Sequence, residues 1–556
     1  MVLIELCTNL SLYRNISNTD LTPFLPMKMA EQLFFTRKAS GLIRTISATD
    51  ALMFNTLLMG INLTFTYAVW SAALFPGVNL VWSATIATPL VFIIAMAWLF
   101  FTLSMPRAGG DFVWVSRSVH PAIGFVDSLP LVLSVFSWSG FLGKAFQDPG
   151  IAGMLGSVGT ITNNPSLIEA ISFWTSTNVS YSLSIIMLLV SLLIIAAGTK
   201  TTFRFGWVCW LIVVAGSLAY TFVMLSVGHE SFVANFNKLS GANYNAIISA
   251  AQNAGYNTGF TASGTIVGLV YFFLNFYGFA WSAYYAGEMK EVSRSNILAI
   301  LGSVILFWAL TVVQYWATYV AAGSDFFHAA SYLATTGNSA WTLPYGPYLT
   351  YLVAFATSNA WLAGLVGFSL VVETLATYVT YWVMTTRVIF AWSFDRLLPT
   401  AFSEIDQRFH APRNALILTG VLSFIYITVG YFTNLLGFLA YGTMGVYLSC
   451  AIVGIAAMVF PFRRKDIFEK APKYVKLRIA GVPVMSIIGI ATAIIATSVA
   501  TFTALPAYTG APVNPLYVSV VLSMFVFALI YYMIVSWYNK RRGLDMSIAY
   551  RELPPL

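Results

Sequence analysis

Glu373 is the residue in this chain best suited to chemistry inside a membrane. It sits in the apolar run Val371-Val372-Glu373-Thr374-Leu375, about fourteen residues before Arg387, or roughly 21 Å along a helix. An unpaired carboxylate that deep in a bilayer is costly, so it is expected to be protonated, paired or hydrated. It could exchange a proton as a site rearranges, or partner a substrate cation. It could also be a protonated structural hydrogen-bonder. Ser369, Thr374 and Thr377 share the run and offer oxygens to a sodium ion. A proton and a sodium ion are therefore the two candidate ions for these residues.

Two glycines make the second pattern. Gly278 is the centre of Leu274-Asn275-Phe276-Tyr277-Gly278-Phe279-Ala280-Trp281, with Ser282 following, and Gly60 lies in Met59-Gly60-Ile61-Asn62. Glycine weakens a helix and lets other groups approach its backbone. Non-helical backbone at membrane depth survives only where it faces protein or a wet cavity. Each glycine alone fits a close helix-helix contact. Together they suggest two broken helices around a central site. They lie about ten and sixteen residues from their entry points, hence near mid-bilayer at about 1.5 Å per residue.

Such a site needs no covalent step. The N-terminal end of the outer half of the first helix favours a substrate carboxylate. Carbonyls freed near Phe276, Tyr277 and Phe279 would accept hydrogen bonds from an ammonium group, and Asn62, Thr64 and Thr66 would add neutral polar contacts. Tyr277, Phe279 and Trp281 cannot all face one way on a regular helix, so at least one should face the cavity. Tyr277 or Phe279 is expected to set the size limit. The candidate substrate site is thus Gly60, Ile61, Asn62, Thr64, Phe276, Tyr277, Gly278, Phe279 and Trp281.

The elements that must position these residues are membrane helices. The chain has 556 residues, 58% hydrophobic and 9% charged, against about 25% charged in soluble domains. Twelve apolar segments are centred near Gly60, Phe92, Val135, Val190, Val214, Phe276, Ala309, Val371, Ser423, Ala451, Ala493 and Phe527. With that count, 26 of 28 lysines and arginines fall on one side; the exceptions are Lys144 and Lys238. The positive-inside rule makes that side cytoplasmic, with both termini on it. The net charge of +8 then reflects insertion and contact with anionic lipid rather than nucleic-acid binding. Asp127, six residues past Pro121, is expected in an ion pair at the cytoplasmic end, and Lys144 is expected to snorkel outward. Cys7, Cys209 and Cys450 give no disulfide framework.

The expected organisation is a cytoplasmic segment 1–45, with Met27 or Met29 as a possible start and 1–26 disordered or untranslated. Spans one to five occupy 46–228, an outer loop 229–261, spans six to ten 262–460, a basic loop 461–480, spans eleven and twelve 481–538 and a tail 539–556. Loops 148–180 and 229–261 are rich in Gly, Ser, Thr and Asn. The loop 324–347 carries Phe326, Phe327, Tyr332, Trp341 and Tyr345; it is either a lid over the site or an aromatic belt.

The stretch after span two carries the most information: Ser104-Met105-Pro106-Arg107-Ala108-Gly109-Gly110-Asp111-Phe112-Val113-Trp114-Val115-Ser116-Arg117, then His120-Pro121-Ala122-Ile123-Gly124-Phe125. It resembles the signature of the amino acid–polyamine–organocation permeases. Phe276-Tyr277-Gly278-Phe279, Ala286-Gly287-Glu288-Met289-Lys290, the run from Thr386 to Pro399 and Pro412-Arg413-Asn414-Ala415 resemble later pieces of the same pattern. The likeness implies an all-α membrane protein of leucine-transporter type, with two inverted five-helix repeats plus two helices. It implies a secondary active transporter for amino acids working by alternating access. A polyamine or other organic-cation carrier is the alternative. The family's Gly-Ser/Ala-Gly triplet is replaced here by Gly60-Ile61-Asn62, and the helix-five lysine that replaces sodium in some relatives is missing from 203–228.

On the cytoplasmic side, Arg107 and Arg117 are expected to pair with Glu288 or Asp395 when that gate is shut. An enzyme or receptor is a remote alternative: His229-Glu230 lacks the second His of a zincin pair, and no histidine sits mid-membrane. A channel would be expected to show a repeated filter or a charged ring. No cofactor or metal is implied; the expected partners are a small amino acid or amine, a coupling ion and the lipid bilayer.

Overall fold

The computed structural model describes residues 44–406, 412–433, 439–505 and 514–544, with Met546 and Tyr550. The expected start at Met27 or Met29 lies outside them. Among the described residues, twelve helices are long and apolar enough to cross a membrane. They are Ala48–Leu74, Leu80–Ser104, Pro121–Thr162, Thr177–Ala196, Thr199–Val227, Ala262–Tyr284, Val292–Ala322, Ala360–Phe394, Arg413–Phe432, Tyr441–Arg463, Val484–Phe502 and Pro515–Arg541. Each holds one of the centres named above. Among the described residues, the sheet is limited to β1 (Arg478–Ile479) against β2 (Val482–Pro483) in the basic loop.

Span one starts at a reciprocal cap. Asp50 N donates to Ser47 Oγ and Ser47 N donates to Asp50 Oδ2, which satisfies two donors that the helix cannot. The helix stops at Met59 because Gly60 takes φ 75°, a conformation costly for other residues. It resumes at Thr64. Span six does not break in that way. Its α-helix ends at Phe276, and 3-10 winding continues through Tyr277–Tyr284. Gly278 is instead where two backbones meet, since a Cβ there would lie 2.7 Å from Met59 N. The break and the close contact read from the two glycines are thus divided between them.

Two expected loops are largely helical. Span three continues past Asp148 to Thr162, and Pro165–Thr175 follows. Residues 229–261 contain His229–Ser240 and Tyr244–Asn253. In the loop 324–347, Ser324–Thr335 is helical, with Phe326 and Phe327 wholly buried. Phe326 stacks on Tyr244 at 4.4 Å and Tyr332 on Tyr256 at 4.3 Å. The Tyr256 hydroxyl donates to the Ala72 carbonyl, which fixes this cap to the outer half of span one. These rings face protein, so the belt reading does not apply to them.

Spans ten and eleven pack backbone to backbone through glycine, with a Cβ on Gly454 only 2.6 Å from Ala493 N and one on Gly489 only 2.4 Å from Met458 N. Gly216 admits Ser369 between spans five and eight in the same way.

Candidate substrate site

The centre is built around the break in span one. Gly60 turns the chain, and the amide N–H groups that follow have no helical acceptor. Glu373 supplies one: its Oε2 accepts from Asn62 N at 2.7 Å and Leu63 N at 2.9 Å. Its side chain is fully buried, and Oε1 has no hydrogen-bond partner. The expected substrate-carboxylate position is therefore occupied by a carboxylate of the protein itself.

The Asn62 side chain points away from the substrate side. Nδ2 donates to Val213 O (3.0 Å, span five) and Ser369 Oγ (2.9 Å, span eight), while Gln314 Nε2 of span seven donates to Oδ1 (3.3 Å). Thr64 Oγ1 donates to Ile61 O and Gln314 Oε1. Thr374 is satisfied within its own helix and Thr377 donates to Leu57 O. These groups join spans one, five, seven and eight.

A small cavity lies on the other side of the break. It is lined by Leu58, Leu63, Tyr67, Trp138, Phe141, Leu142, Leu274, Asn275, Tyr277, Gly278, Trp281 and Tyr381, and contains about 390 Å³ of atom-free space, little of it wide enough for free water. Of the nine expected substrate residues, Tyr277, Gly278 and Trp281 line it. Ile61, Asn62 and Thr64 are buried behind it, and Gly60 forms the turn. Phe276 packs on Phe307 and Phe279 on Trp98. The Phe279 carbonyl, expected to be free, accepts from Asn55 Nδ2 at 2.8 Å. Asn55 also receives Ser282 N and donates to Ala299 O, stapling span one to six and seven. Sequence reasoning missed Asn55, Tyr67, Trp138, Phe141 and Tyr381. Asn55 and Tyr67 do stand one or two turns from Gly60, the spacing that puts them beside the break. Trp138 and Trp281 Nε1 are buried without an acceptor.

Both ends of the cavity are shut. At the end away from the arginines, Tyr67 contacts Phe141 at 5.7 Å and Tyr271 at 5.6 Å, and Trp70 and Phe75 pack around them. At the basic end, the Tyr277 and Tyr284 hydroxyls approach to 3.4 Å, and Tyr284 donates to Asp111 Oδ2 at 3.1 Å. Burial pushes Asp111 up to about 7 against the hydrogen bonds that favour its charge. Beyond it lie two buried ion pairs. Arg117 grips Asp395 with both terminal nitrogens (2.5 and 3.0 Å), and Arg387 grips Glu288 at 3.0 and 3.1 Å. Of the expected gate residues, Arg117 meets Asp395, whereas Glu288 takes Arg387. Arg107 donates to its neighbour Pro106 O.

Asp127 departs from expectation. It is wholly buried with neither carboxylate oxygen hydrogen-bonded, and its backbone carbonyl accepts from Ser449 of span ten. Lys144 sits over the Tyr431 ring at 5.5 Å.

Comparison with known proteins identifies the family. The chain is similar to the branched-chain amino acid permease BcaP of Lactococcus lactis subsp. cremoris (strain MG1363), 26% identical over 380 residues, covering 66% of this chain and 71% of the relative. It is similar to the glutamate/serine transporter AimA of Bacillus subtilis (strain 168), 24% identical over 370 residues, covering 65% of this chain and 61% of the relative. The amino acid permease family profile matches residues 46–528. With most of its length matched and its twelve spans arranged around a broken first helix, the chain belongs to the amino acid permease family.

Proposed function

We propose that this protein is a secondary active transporter that moves amino acids with neutral, apolar side chains across the cytoplasmic membrane by alternating access. The observation that carries the reading is the lining of the central cavity: leucines and aromatic rings, one amide, and no charged side chain. An apolar side chain would shed water there at about 25 cal/mol per Å² buried. A charged side chain or a polyamine would lose its hydration without a counter-charge. The likeness to a branched-chain amino acid permease points the same way. The basic end, with both termini, is the cytoplasmic one by the distribution of lysine and arginine. Transport is coupled to an ion, with Glu373 the candidate proton carrier and Ser369 and Thr374 the candidate oxygens for sodium.

The test is uptake of labelled leucine into proteoliposomes of purified protein, with unlabelled competitors. Leucine, isoleucine, valine and phenylalanine should compete; lysine, glutamate and putrescine should not. Preferential competition by putrescine or lysine would replace this reading with an organic-cation carrier.

A further inference from the structure

Glu373 sits on the one part of the site that is shaped for an anion. The first free amides of the outer half of span one, Asn62 N and Leu63 N, both point at its Oε2. Leu63 belongs to both places, because its side chain lines the cavity while its N–H is held by Glu373. No other acceptor is bonded to those two amides. The second oxygen of Glu373 is buried and unpartnered, so the carboxylate is held by one oxygen and the other half of its hydrogen-bonding capacity is unused.

We propose that Glu373 is a resident occupant of the substrate's carboxylate position: it caps the broken helix while the site is empty, and an arriving substrate carboxylate takes over Asn62 N and Leu63 N as Glu373 turns away in its neutral form. The inference rests on the reading of the protein as an amino acid transporter. Two carboxylates cannot share two N–H groups without strong repulsion. A carboxylate turned out into the protein interior with no donor is costly unless it carries a proton. Binding one substrate carboxylate therefore takes up one proton from the solution, and the proton stays on Glu373 until the substrate leaves. This links occupancy to protonation with no separate ion site. The titratable or charged groups on the spans packed together there are Asp50 and Tyr67 on span one, Asp127, Lys144 and Asp148 on three, Lys200, Arg204, Cys209 and Tyr220 on five, Tyr271, Tyr277 and Tyr284 on six, and Tyr378, Tyr381 and Arg387 on eight itself. None of them is hydrogen-bonded or ion-paired to it. Asn62, Ser369, Thr374 and Thr377, the near polar side chains, are bonded elsewhere.

The same geometry predicts specificity. A substrate without a carboxylate gains nothing from displacing Glu373, so the amine of the same shape should bind without moving it.

The experiment uses the full chain in lipid nanodiscs and isothermal titration with L-leucine and with 3-methylbutylamine, its counterpart lacking the carboxylate, in two buffers of different ionisation enthalpy. In the native protein leucine should bind with uptake of one proton and the amine with none. Glu373→Gln leaves a neutral cap that yields more readily, so leucine should bind about tenfold more tightly and without proton uptake, while the amine is unchanged. Glu373→Ala, as a second variant, should also lose the proton uptake. Leucine binding with no proton uptake in the native protein, or an equal change for leucine and amine in Glu373→Gln, would overturn the proposal. If leucine fails to bind but another amino acid binds, the apolar-substrate reading is what fails, and that amino acid with its own amine decides the displacement.

Discussion

The two ends of the molecule are closed by different means. At the basic end the seal is ionic: Arg117 with Asp395, and Arg387 with Glu288, all nearly free of solvent. At the far end it is aromatic: Tyr67, Trp70, Phe75, Phe141 and Tyr271 in ring-to-ring contact. Ion pairs lose most when one partner is removed, because a buried charge is stranded. Ring contacts are each worth about 0.5–1.5 kcal/mol beyond area burial and can be lost one at a time. The basic end is thus built to be open or shut, and the far end to loosen by degrees.

The largest effect should come from dividing an ion pair. Arg117→Ala or Asp395→Ala strands its partner and should cost about 3–5 kcal/mol, seen as a fall in the thermal midpoint of purified protein. Arg117→Met with Asp395→Leu should regain most of that loss. A double variant as unstable as the singles would mean that the pair does not account for the closure of this end.

The aromatic seal should yield less. Tyr67→Ala removes ring contacts to Trp70, Phe141 and Tyr271 and should cost about 1–3 kcal/mol. Its sharper sign is access: Asn275→Cys in that background should react faster with a membrane-impermeant thiol reagent supplied at the far end. Unchanged labelling would place the barrier at that end elsewhere.

The smallest net effect concerns pH, and there the two ends oppose each other. Burial pushes Asp111, at the basic end, up to about 7. Between about pH 4 and 7 the unfolded chain has released that proton while the folded chain keeps it, so stability falls as pH rises through this window. At the far end His328 is buried between Tyr319 and the Thr258 carbonyl, and burial lowers it to about 4. Between about pH 6.5 and 4 the unfolded chain takes up a proton that the folded chain refuses, so stability falls as pH drops. The two slopes largely cancel in the native protein. Asp111→Asn should uncover a loss of stability in acid, and His328→Gln a loss towards neutral pH. Thermal midpoints across pH 4–7 that shift in parallel for both variants would remove this contrast.

Much of the frame was legible because it depends on composition and period. Twelve apolar runs and one-sided arginines give spans and sides without knowledge of any contact. Gly60 was legible because only glycine takes a positive φ at mid-membrane without strain. Gly278 looks the same in sequence but lies in continuous 3-10 winding, because glycine serves equally to turn a chain and to admit a neighbour. Asn62 and Thr64 were assigned to the substrate because they flank the break. Side-chain direction after a left-handed turn is not periodic: Asn62 points to spans five, seven and eight, and Thr64 to span seven. The cavity walls from spans three and eight, Trp138, Phe141 and Tyr381, are ordinary aromatic residues in apolar runs. Only packing brings them to the cavity.

Gly60 also stands between two sets of fastenings. Before it, Asn55 ties span one to spans six and seven, Trp207 and Trp210 tie it to span five, and the Leu57 carbonyl accepts from Thr377 of span eight. Just after it, Asn62 ties the same span to five and eight, and Tyr315 of span seven holds the Thr64 carbonyl. Any change in the angle between the two halves of span one must be absorbed in the short stretch from Gly60 to Leu63, since the chain on either side is fastened. That stretch is a swivel, and the two amides that Glu373 holds lie inside it. Whatever occupies those amides therefore also sets how freely the swivel can turn.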